Sequence, residues 1–155
     1  MRAVISLSVL AFLLSGSHSP AQPLQWINYR IAETGTSVDM PISIFTEAAG
    51  KASGYGQQFR RSDGKADLTI QAEPNSSRDS PAVYLEKRNP PPHIIYKRIT
   101  DDFFVVSSTR GDRIWYDRCN FTNRFVHCVL IDYPADEKRQ WDAIVTRISK
   151  TLRGG

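Results

Sequence analysis

Cysteine and histidine are scarce in this chain, which has only 2 cysteines and 3 histidines. Two thiols cannot complete a tetrahedral structural zinc site without two more ligands at suitable spacing, and only His127 is near the pair. Cys119 and Cys128 are also too far apart in sequence for a CxxC redox motif. We therefore expect no metal site and no cofactor.

Catalytic motifs are equally sparse. The sequence has no Gly-x-Ser-x-Gly nucleophile elbow, so nothing indicates a Ser–His–Asp hydrolase. His93 and His127 both fall on predicted strands, where we expect structural roles for them. Asp101 and Asp102 are adjacent, so in an extended chain they point apart, and we expect them to form a turn. No motif of this kind states what the protein does.

Positive charge is present in only slight excess. The formal net charge is +4, and Arg2 supplies one of those charges. This excess is too small to indicate nucleic-acid binding, which requires a concentrated basic stripe. After the first residues, no apolar run is long enough to span a bilayer. We therefore expect neither nucleic-acid binding nor stable membrane insertion once a leader has been removed.

The first residues have the pattern of a secretory signal peptide. A short positive segment, Met1-Arg2, precedes an apolar run at 4–14, and small residues at Ser19 and Ala21 suit cleavage after Ala21. No cysteine lies near that site, which excludes a lipoprotein anchor. The prediction is a signal peptide at 1–21, a single α+β domain at 22–155, and export to the periplasm or the medium.

The first half of the mature chain is predicted to be mainly strand. Alternating patterns at 26–32 and 36–40 predict two strands joined by a turn at 33–35. Residues 42–56 show no clear period and are interpreted as an irregular loop that can include a helical turn. Asp63-Gly64 lies between two alternating runs and predicts a type I′ hairpin, with Phe59 facing Leu68 and Arg60 facing Asp67.

Two helices are predicted. Ser80 followed by Pro81 suits an N-cap and first helical position, and the prolines at 90–92 end a short helix near Arg88. The run at 93–99 is a further strand. Near the carboxyl end, apolar residues form one stripe at helical spacing, and Gly154-Gly155 is expected to stop that helix. The stripe consists of Trp141, Ile144, Val145, Ile148 and Leu152.

The stretch from 101 to 133 predicts a meander of three antiparallel strands, at 103–110, 113–119 and 126–133. Gly111-Asp112 suits a type II′ turn. In the second hairpin the residue count places Cys119 opposite Cys128, and the oxidising compartment expected after export favours a disulfide between them.

These registers divide the side chains between two faces of the sheet. Face one is the more continuously apolar of the two and is expected to lie under the terminal helix. It carries Phe103, Val105, Ile114, Tyr116, Val129, Ile131 and Tyr133. Face two is mixed and carries Phe104, Val106, Ser108, Trp115, Asp117, Cys119, Cys128, Leu130 and Asp132. The predicted fold class is therefore α+β, an antiparallel sheet packed against a long C-terminal helix with a short helix on the other side.

Several segments resemble a family of small exported bacterial proteins of unknown function. The matching segments are Tyr29-Arg30, Val38-Asp39-Met40-Pro41, Phe59, 62–68, 103–108, Tyr116, Tyr133-Pro134 and the helix at 141–152. The arrangement is similar to the PsbP-like α/β/α sandwich, and this resemblance implies a scaffold for binding or assembly without one fixed chemistry. The pair Cys119 and Cys128 and the prolines at 90–92 depart from it, so no partner or functional residue is carried over.

Two classes of function follow from these patterns. The first is a non-enzymatic periplasmic or secreted binding or assembly module whose partner is an unknown protein or small ligand. The alternative is a small hydrolase that uses Asp117 and Asp132, which the register places on face two beside Trp115. Paired carboxylates near an aromatic ring suit acid–base catalysis or sugar binding, with Trp115 as the binding residue. A concave pocket joining the two carboxylates would favour the enzyme, and a flat or helix-covered face would favour the module.

Overall fold

The computed structural model describes residues 23–155 of the chain. The expected signal peptide at 1–21 lies outside these residues. The described part forms nine strands and two α-helices, with a short 3-10 turn at Ala135–Glu137. In chain order they are β1 Trp26–Ile31, β2 Thr36–Pro41, β3 Phe45–Lys51, β4 Tyr55–Arg61, β5 Asp67–Pro74, α1 Pro81–Arg88, β6 His93–Ile99, β7 Phe103–Arg110, β8 Arg113–Phe121, β9 Phe125–Pro134 and α2 Lys138–Thr151.

The strands form one large sheet and one small ribbon. Seven strands make an antiparallel sheet in the order β3-β4-β5-β9-β8-β7-β6, and β1 pairs with β2 alone. Helix α2 and the ribbon cover face one, while α1 covers part of face two. The predicted α+β sandwich, with a helix on each side of the sheet, is confirmed. Within residues 23–155, no helix is both long and apolar enough to cross a bilayer.

The main core lies between face one and the layer formed by α2 and the ribbon. The predicted helical stripe points into it, with Trp141, Val145, Ile148 and Leu152 buried. Its partners from the sheet and the ribbon are Ile31, Val38, Met40, Phe45, Ala66, Leu68, Ile70, Ile114, Val129, Ile131 and Tyr133. Phe103 was expected under the helix, but it lies outside this cluster and instead lies beneath two arginine side chains.

The predicted meander is present with the expected register. Strand β7 has the predicted bounds. Strands β8 and β9 extend further, because Phe121 of β8 pairs with Val126, and Phe125 of β9 pairs with Pro74 of β5. In the first turn Gly111 has a φ of +58°, and Asp112 stays at negative φ, as a type II′ turn requires. Helix α1 is also confirmed, because the Ser80 hydroxyl accepts a hydrogen bond from the backbone N–H of Val83 (3.4 Å).

One segment was assigned wrongly. The stretch interpreted as an irregular loop at 42–56 contains strand β3, Phe45–Lys51, which pairs with β4. The register shifts between Phe45 and Glu47 and again between Ala48 and Gly50. Each irregularity adds a residue on one strand and breaks the two-residue alternation by which strands are detected. The sequence of this edge strand therefore lacks the alternation that would have predicted a strand.

The turn of the first hairpin also differs from the prediction, although its register does not. Phe59 pairs with Leu68 and Arg60 with Asp67, as expected. However, only Gly64 has a positive φ (+72°), and its N–H bonds to the Arg61 carbonyl (2.8 Å), which is a type I turn followed by a left-handed glycine. The Asp63 carboxylate accepts hydrogen bonds from the backbone of Lys65 and the side chain of Arg61, which favours this conformation over type I′.

Helix α2 ends before the two glycines that were expected to stop it. Leu152 is already extended, and Arg153 exchanges two backbone hydrogen bonds with Ser37 of β2 (2.8 and 3.1 Å). Pairing with the ribbon therefore ends the helix. The two glycines instead allow the backbone to pass close to neighbouring residues. A Cβ on Gly154 would overlap the ring of His127, and one on Gly155 would meet the backbone of Gly35.

Candidate functional site

The three candidate residues of face two lie near one another on strands β8 and β9. Trp115 pairs directly with Asp132, and Asp117 pairs with Leu130 one step further along the same face. Both carboxylates are largely buried, with side-chain exposures of 15% for Asp117 and 14% for Asp132. The structure therefore brings the two acids and the indole to one region of face two, and the neighbours of each acid decide what it can do.

Asp132 is engaged by an arginine. The Arg113 guanidinium donates a hydrogen bond to its Oδ1, and Asp67 lies opposite it on β5. Burial raises the pKa of Asp132 above its usual value, while the hydrogen bond and the charge of Arg113 oppose that rise. This carboxylate is held in place by its partner, as in a structural ion pair.

Asp117 has a weaker partner. The Nε of Arg88, at the end of α1, lies 3.8 Å from its Oδ2, which is too long for a hydrogen bond. Burial raises the pKa of Asp117 to about 6, and the charge of Arg88 only partly offsets this effect. Two buried nitrogens have no hydrogen-bond partner within residues 23–155, namely Nε of Arg88 and Nε1 of Trp115. This corner of face two therefore contains polar groups whose hydrogen bonds are incomplete.

A sizeable cavity lies elsewhere on the molecule. It has a volume of ≈ 820 Å³ and lies between the N-terminal end of α1, the β6–β7 turn and the β8–β9 turn. Its lining includes Arg78, Ser80, Asp101 and Asn123, and neither Asp117 nor Asp132. In the part of the chain that the structure describes, none of five prominent cavities is lined by Asp117 or Asp132.

Helix α1 covers the other half of face two, around the disulfide. Cys119 and Cys128 are bonded, with their Cα atoms 4.1 Å apart, so the predicted disulfide is present. The backbone N–H of Thr122 donates to the Phe125 carbonyl, and hydrogen-bonded and non-hydrogen-bonded pairs alternate along an antiparallel ladder. Cys119 and Cys128 are therefore a non-hydrogen-bonded pair, the pair type in which the two Cα atoms lie closer together. A second, smaller core surrounds them, formed by Tyr84, Leu85, Phe104, Val106, Phe121, Val126 and Leu130.

The two histidines have different environments. His127 is fully buried, and its ring nitrogens lie 2.8 Å from the Thr36 hydroxyl and 3.2 Å from the Thr122 hydroxyl. Burial lowers its pKa, so the neutral ring joins the ribbon to the sheet. His93 is exposed at the start of β6. Among the described residues, no three His, Cys, Asp or Glu side chains come together as metal ligands would.

The exposure of strand β6 is the feature that the sequence did not indicate. The strand forms one edge of the large sheet, and every residue in it is exposed. Four large apolar side chains project from it with exposures of 44%, 53%, 51% and 37%, namely Ile94, Ile95, Tyr96 and Ile99. The strand itself was predicted, but its apolar run is typical of a buried strand. Lys97 and Arg98 could have indicated that this strand lies at an exposed edge, because lysine and other charged residues are common on edge strands.

Comparison with known structures identifies the architecture. The chain is similar to the solution structure of cyanobacterial PsbP (CyanoP) from Synechocystis sp. PCC 6803, with a TM-score of 0.60 and 10% sequence identity over 91% of this chain and 99% of that one. The fold is PsbP-like. No protein-family model and no curated protein matches the sequence. At 10% identity the likeness shows the fold alone, and the predicted PsbP-like arrangement is confirmed at that level.

In this PsbP-like fold, the backbone of β6 is open on its outer side. Thr100 donates its N–H to the Phe103 carbonyl (2.9 Å), and hydrogen-bonded and non-bonded pairs then alternate along the ladder. Lys97 and Ile99 fall at non-bonded positions, so their N–H and C=O groups point away from β7. The outer edge thus offers backbone donors and acceptors beside exposed apolar side chains.

Proposed function

We propose that the chain is an exported, non-enzymatic binding or assembly module and that the outer edge of β6 is its binding surface. The observation that carries this proposal is the exposure of the whole strand, including Ile94, Ile95, Tyr96 and Ile99. Soluble proteins usually shield such edges, because unpaired backbone groups beside apolar side chains invite pairing with another chain. A long open apolar edge therefore favours a partner that adds a strand.

Two further observations agree with this proposal. The PsbP-like scaffold hosts no single chemistry, so function rests on the surface it presents. The disulfide Cys119–Cys128 is of the kind that persists in oxidising compartments, which agrees with export. The N-terminal pattern at 1–21 supports export independently, from the sequence.

A photo-cross-linking experiment in the source cell tests the proposed surface. A photoreactive residue replaces Tyr96 on β6, and a control protein carries it at Asp142, an exposed position on α2. We expect a discrete adduct from the β6 position alone. The adduct should be lost in Lys97→Pro, which removes the outward N–H, and kept in Lys97→Gln, which loses the charge but retains the N–H. Adducts of equal yield from both positions would contradict the proposal.

The hydrolase remains a second candidate, and one observation favours it. A carboxyl group with a pKa of about 6, such as Asp117, is suited to act as a general acid near neutral pH. A panel of 4-nitrophenyl glycosides and esters tests this candidate directly. Turnover that disappears in Asp117→Asn and persists in Asp142→Asn would establish the enzyme, and turnover insensitive to Asp117→Asn would exclude this site.

A further inference from the structure

Three arginines converge on face one next to the open edge. They are Arg98 on β6, Arg118 on β8 and Arg153 just after α2. None of them has a carboxylate within salt-bridge distance among residues 23–155, in contrast to Arg60 and Arg113, which are paired with aspartates. The three cations lie close enough together for the charges of Arg98 and Arg153 to act on Arg118, and like charges without a nearby counter-charge repel one another.

A continuous set of contacts holds the three side chains together. Arg98 and Arg118 both lie against the ring of Phe103, with their guanidinium carbons 5.4 and 4.4 Å from its centroid. Arg118 donates through Nε to the side chain of Asn120 (3.0 Å), which in turn donates to the Leu152 carbonyl (3.0 Å). The guanidinium of Arg153 donates to the same carbonyl (2.8 Å). The positions of the arginines are therefore fixed by an aromatic ring, an amide and a helix end.

This arrangement keeps cationic groups close at an electrostatic cost. Partial burial of Arg118 lowers its pKa, and the charges of Arg153 and Arg98 lower it further. Cation–π contact with Phe103 offsets part of this cost but provides no counter-ion. Arginines held in place with free N–H groups are well suited to bind a carboxylate, which they recognise through paired hydrogen bonds.

We propose that this arginine cluster recognises carboxylate side chains on an acidic, extended segment of a partner polypeptide that pairs with β6. This inference rests on the proposed function and specifies the partner's chemistry. Arg98 belongs to β6 itself and shares face one with Phe103, so alternate side chains of an added strand would point toward the cluster. A second copy of this chain fits poorly, because β6 pairing with itself would bring Lys97 and Arg98 near their own like charges.

Two synthetic peptides test the inference. One is a fluorescein-labelled seven-residue peptide that alternates valine with glutamate, and the other has glutamine in place of glutamate. Alternation places all its carboxylates on one face of the added strand. We expect fluorescence anisotropy at low salt to show about tenfold tighter binding of the glutamate peptide, which corresponds to one good ion pair. This preference should shrink as salt is added.

Matched variants locate the effect. Arg118→Gln and the exposed Arg98→Gln should each remove most of the glutamate preference, and folding is not at issue for Arg98 because its side chain lies on the surface. Arg124→Gln is the control, because Arg124 also lies over a phenylalanine ring, that of Phe125, but outside the cluster. It should keep the preference.

The outcomes separate this inference from the proposed function. Equal binding of the two peptides, blocked by Lys97→Pro, would overturn the acidic partner and leave the β6 surface supported. A glutamate preference that survives both Arg118→Gln and Arg98→Gln would overturn the cluster as its origin. Failure of both peptides to bind, or a concentration-dependent dimer in sedimentation velocity that Lys97→Pro dissociates, would overturn the inference in favour of another occupant.

Discussion

At the scale of single residues, burial of charge is the most informative property of this protein. Asp117 is buried beside an arginine that does not reach hydrogen-bond distance, and Arg118 is partly buried among other arginines. Asp132, in contrast, has a direct hydrogen bond from Arg113. Charged groups in incomplete environments cost stability and are found where a protein binds or reacts. Face two has one such group, and the edge next to β6 has the other.

Replacing Asp117 by asparagine should stabilise the protein at neutral pH. In the folded state burial raises the pKa of this carboxyl from 3.8 to about 6, so its ionised form is disfavoured by folding. That penalty is fully present above pH 6 and disappears as the pH falls towards the unfolded value near 4. We expect Asp117→Asn to raise the free energy of unfolding by about 1–3 kcal/mol at pH 8 and to have little effect at pH 4.

Urea unfolding of both proteins at the two pH values measures this difference. Asp142→Asn is the control, because Asp142 is exposed and paired only with Lys138, and its effect should stay below about 0.5 kcal/mol. A destabilisation by Asp117→Asn at pH 8 would mean that its ion pair with Arg88 outweighs the cost of burial.

At the scale of the elements, the terminal helix and the meander were predicted from sequence because their signals are local. The apolar stripe of α2 repeats at helical spacing, and the turn at Gly111 sets the register of the strands beside it. Strand β3 could not be found in this way, because two irregularities remove its alternation. The exposure of β6 could not be found either, since the order of strands depends on contacts distant in sequence.

Truncating Ile148 should destabilise the fold strongly. This side chain is fully buried in the middle of the α2 stripe, so Ile148→Ala removes apolar contacts and leaves a cavity. We expect a loss of about 2–5 kcal/mol in urea unfolding. Arg139→Ala on the exposed side of α2 should cost less than about 0.5 kcal/mol. Arg147 is a poorer control, because it bonds to Asp39 and lies over the ring of Trp26. Equal costs for Ile148 and Arg139 would contradict the packing of α2.

The disulfide should contribute to stability without being essential for folding. It joins residues 9 apart in sequence and lies in the smaller core, while the main core under α2 is independent of it. Loop-closure entropy suggests a contribution of about 2–3 kcal/mol. A Cys119→Ala/Cys128→Ala variant should therefore fold and melt about 5–10 °C lower. Thiol titration of the unfolded, oxidised protein should find none, and two titratable thiols would contradict the bridge.

At the scale of the whole molecule, the sequence predicted the sandwich better than it predicted the site. Helix caps, turns and periodicity depend on neighbouring residues, and the α+β sandwich follows from them. Its PsbP-like arrangement was expected from the resemblance of several segments to a known family and is confirmed by the structural comparison. The common face of Trp115, Asp117 and Asp132 also followed, because hairpin registers extend from turns. The arginine cluster could not be predicted from the sequence, because Arg98, Arg118 and Arg153 come together only when the sheet is assembled and α2 ends against β2.

The proposed function depends on an outer edge of β6 that is open and takes up an added strand. Amide hydrogen exchange measured residue by residue tests it most directly. In the free protein, the amides of Lys97 and Ile99 should exchange rapidly, while that of Arg98, which faces β7, should be protected. Addition of the valine–glutamate peptide should then protect Lys97 and Ile99. Protection of these two amides in the free protein at the level of Arg98, or no change when the peptide is bound, would contradict the account.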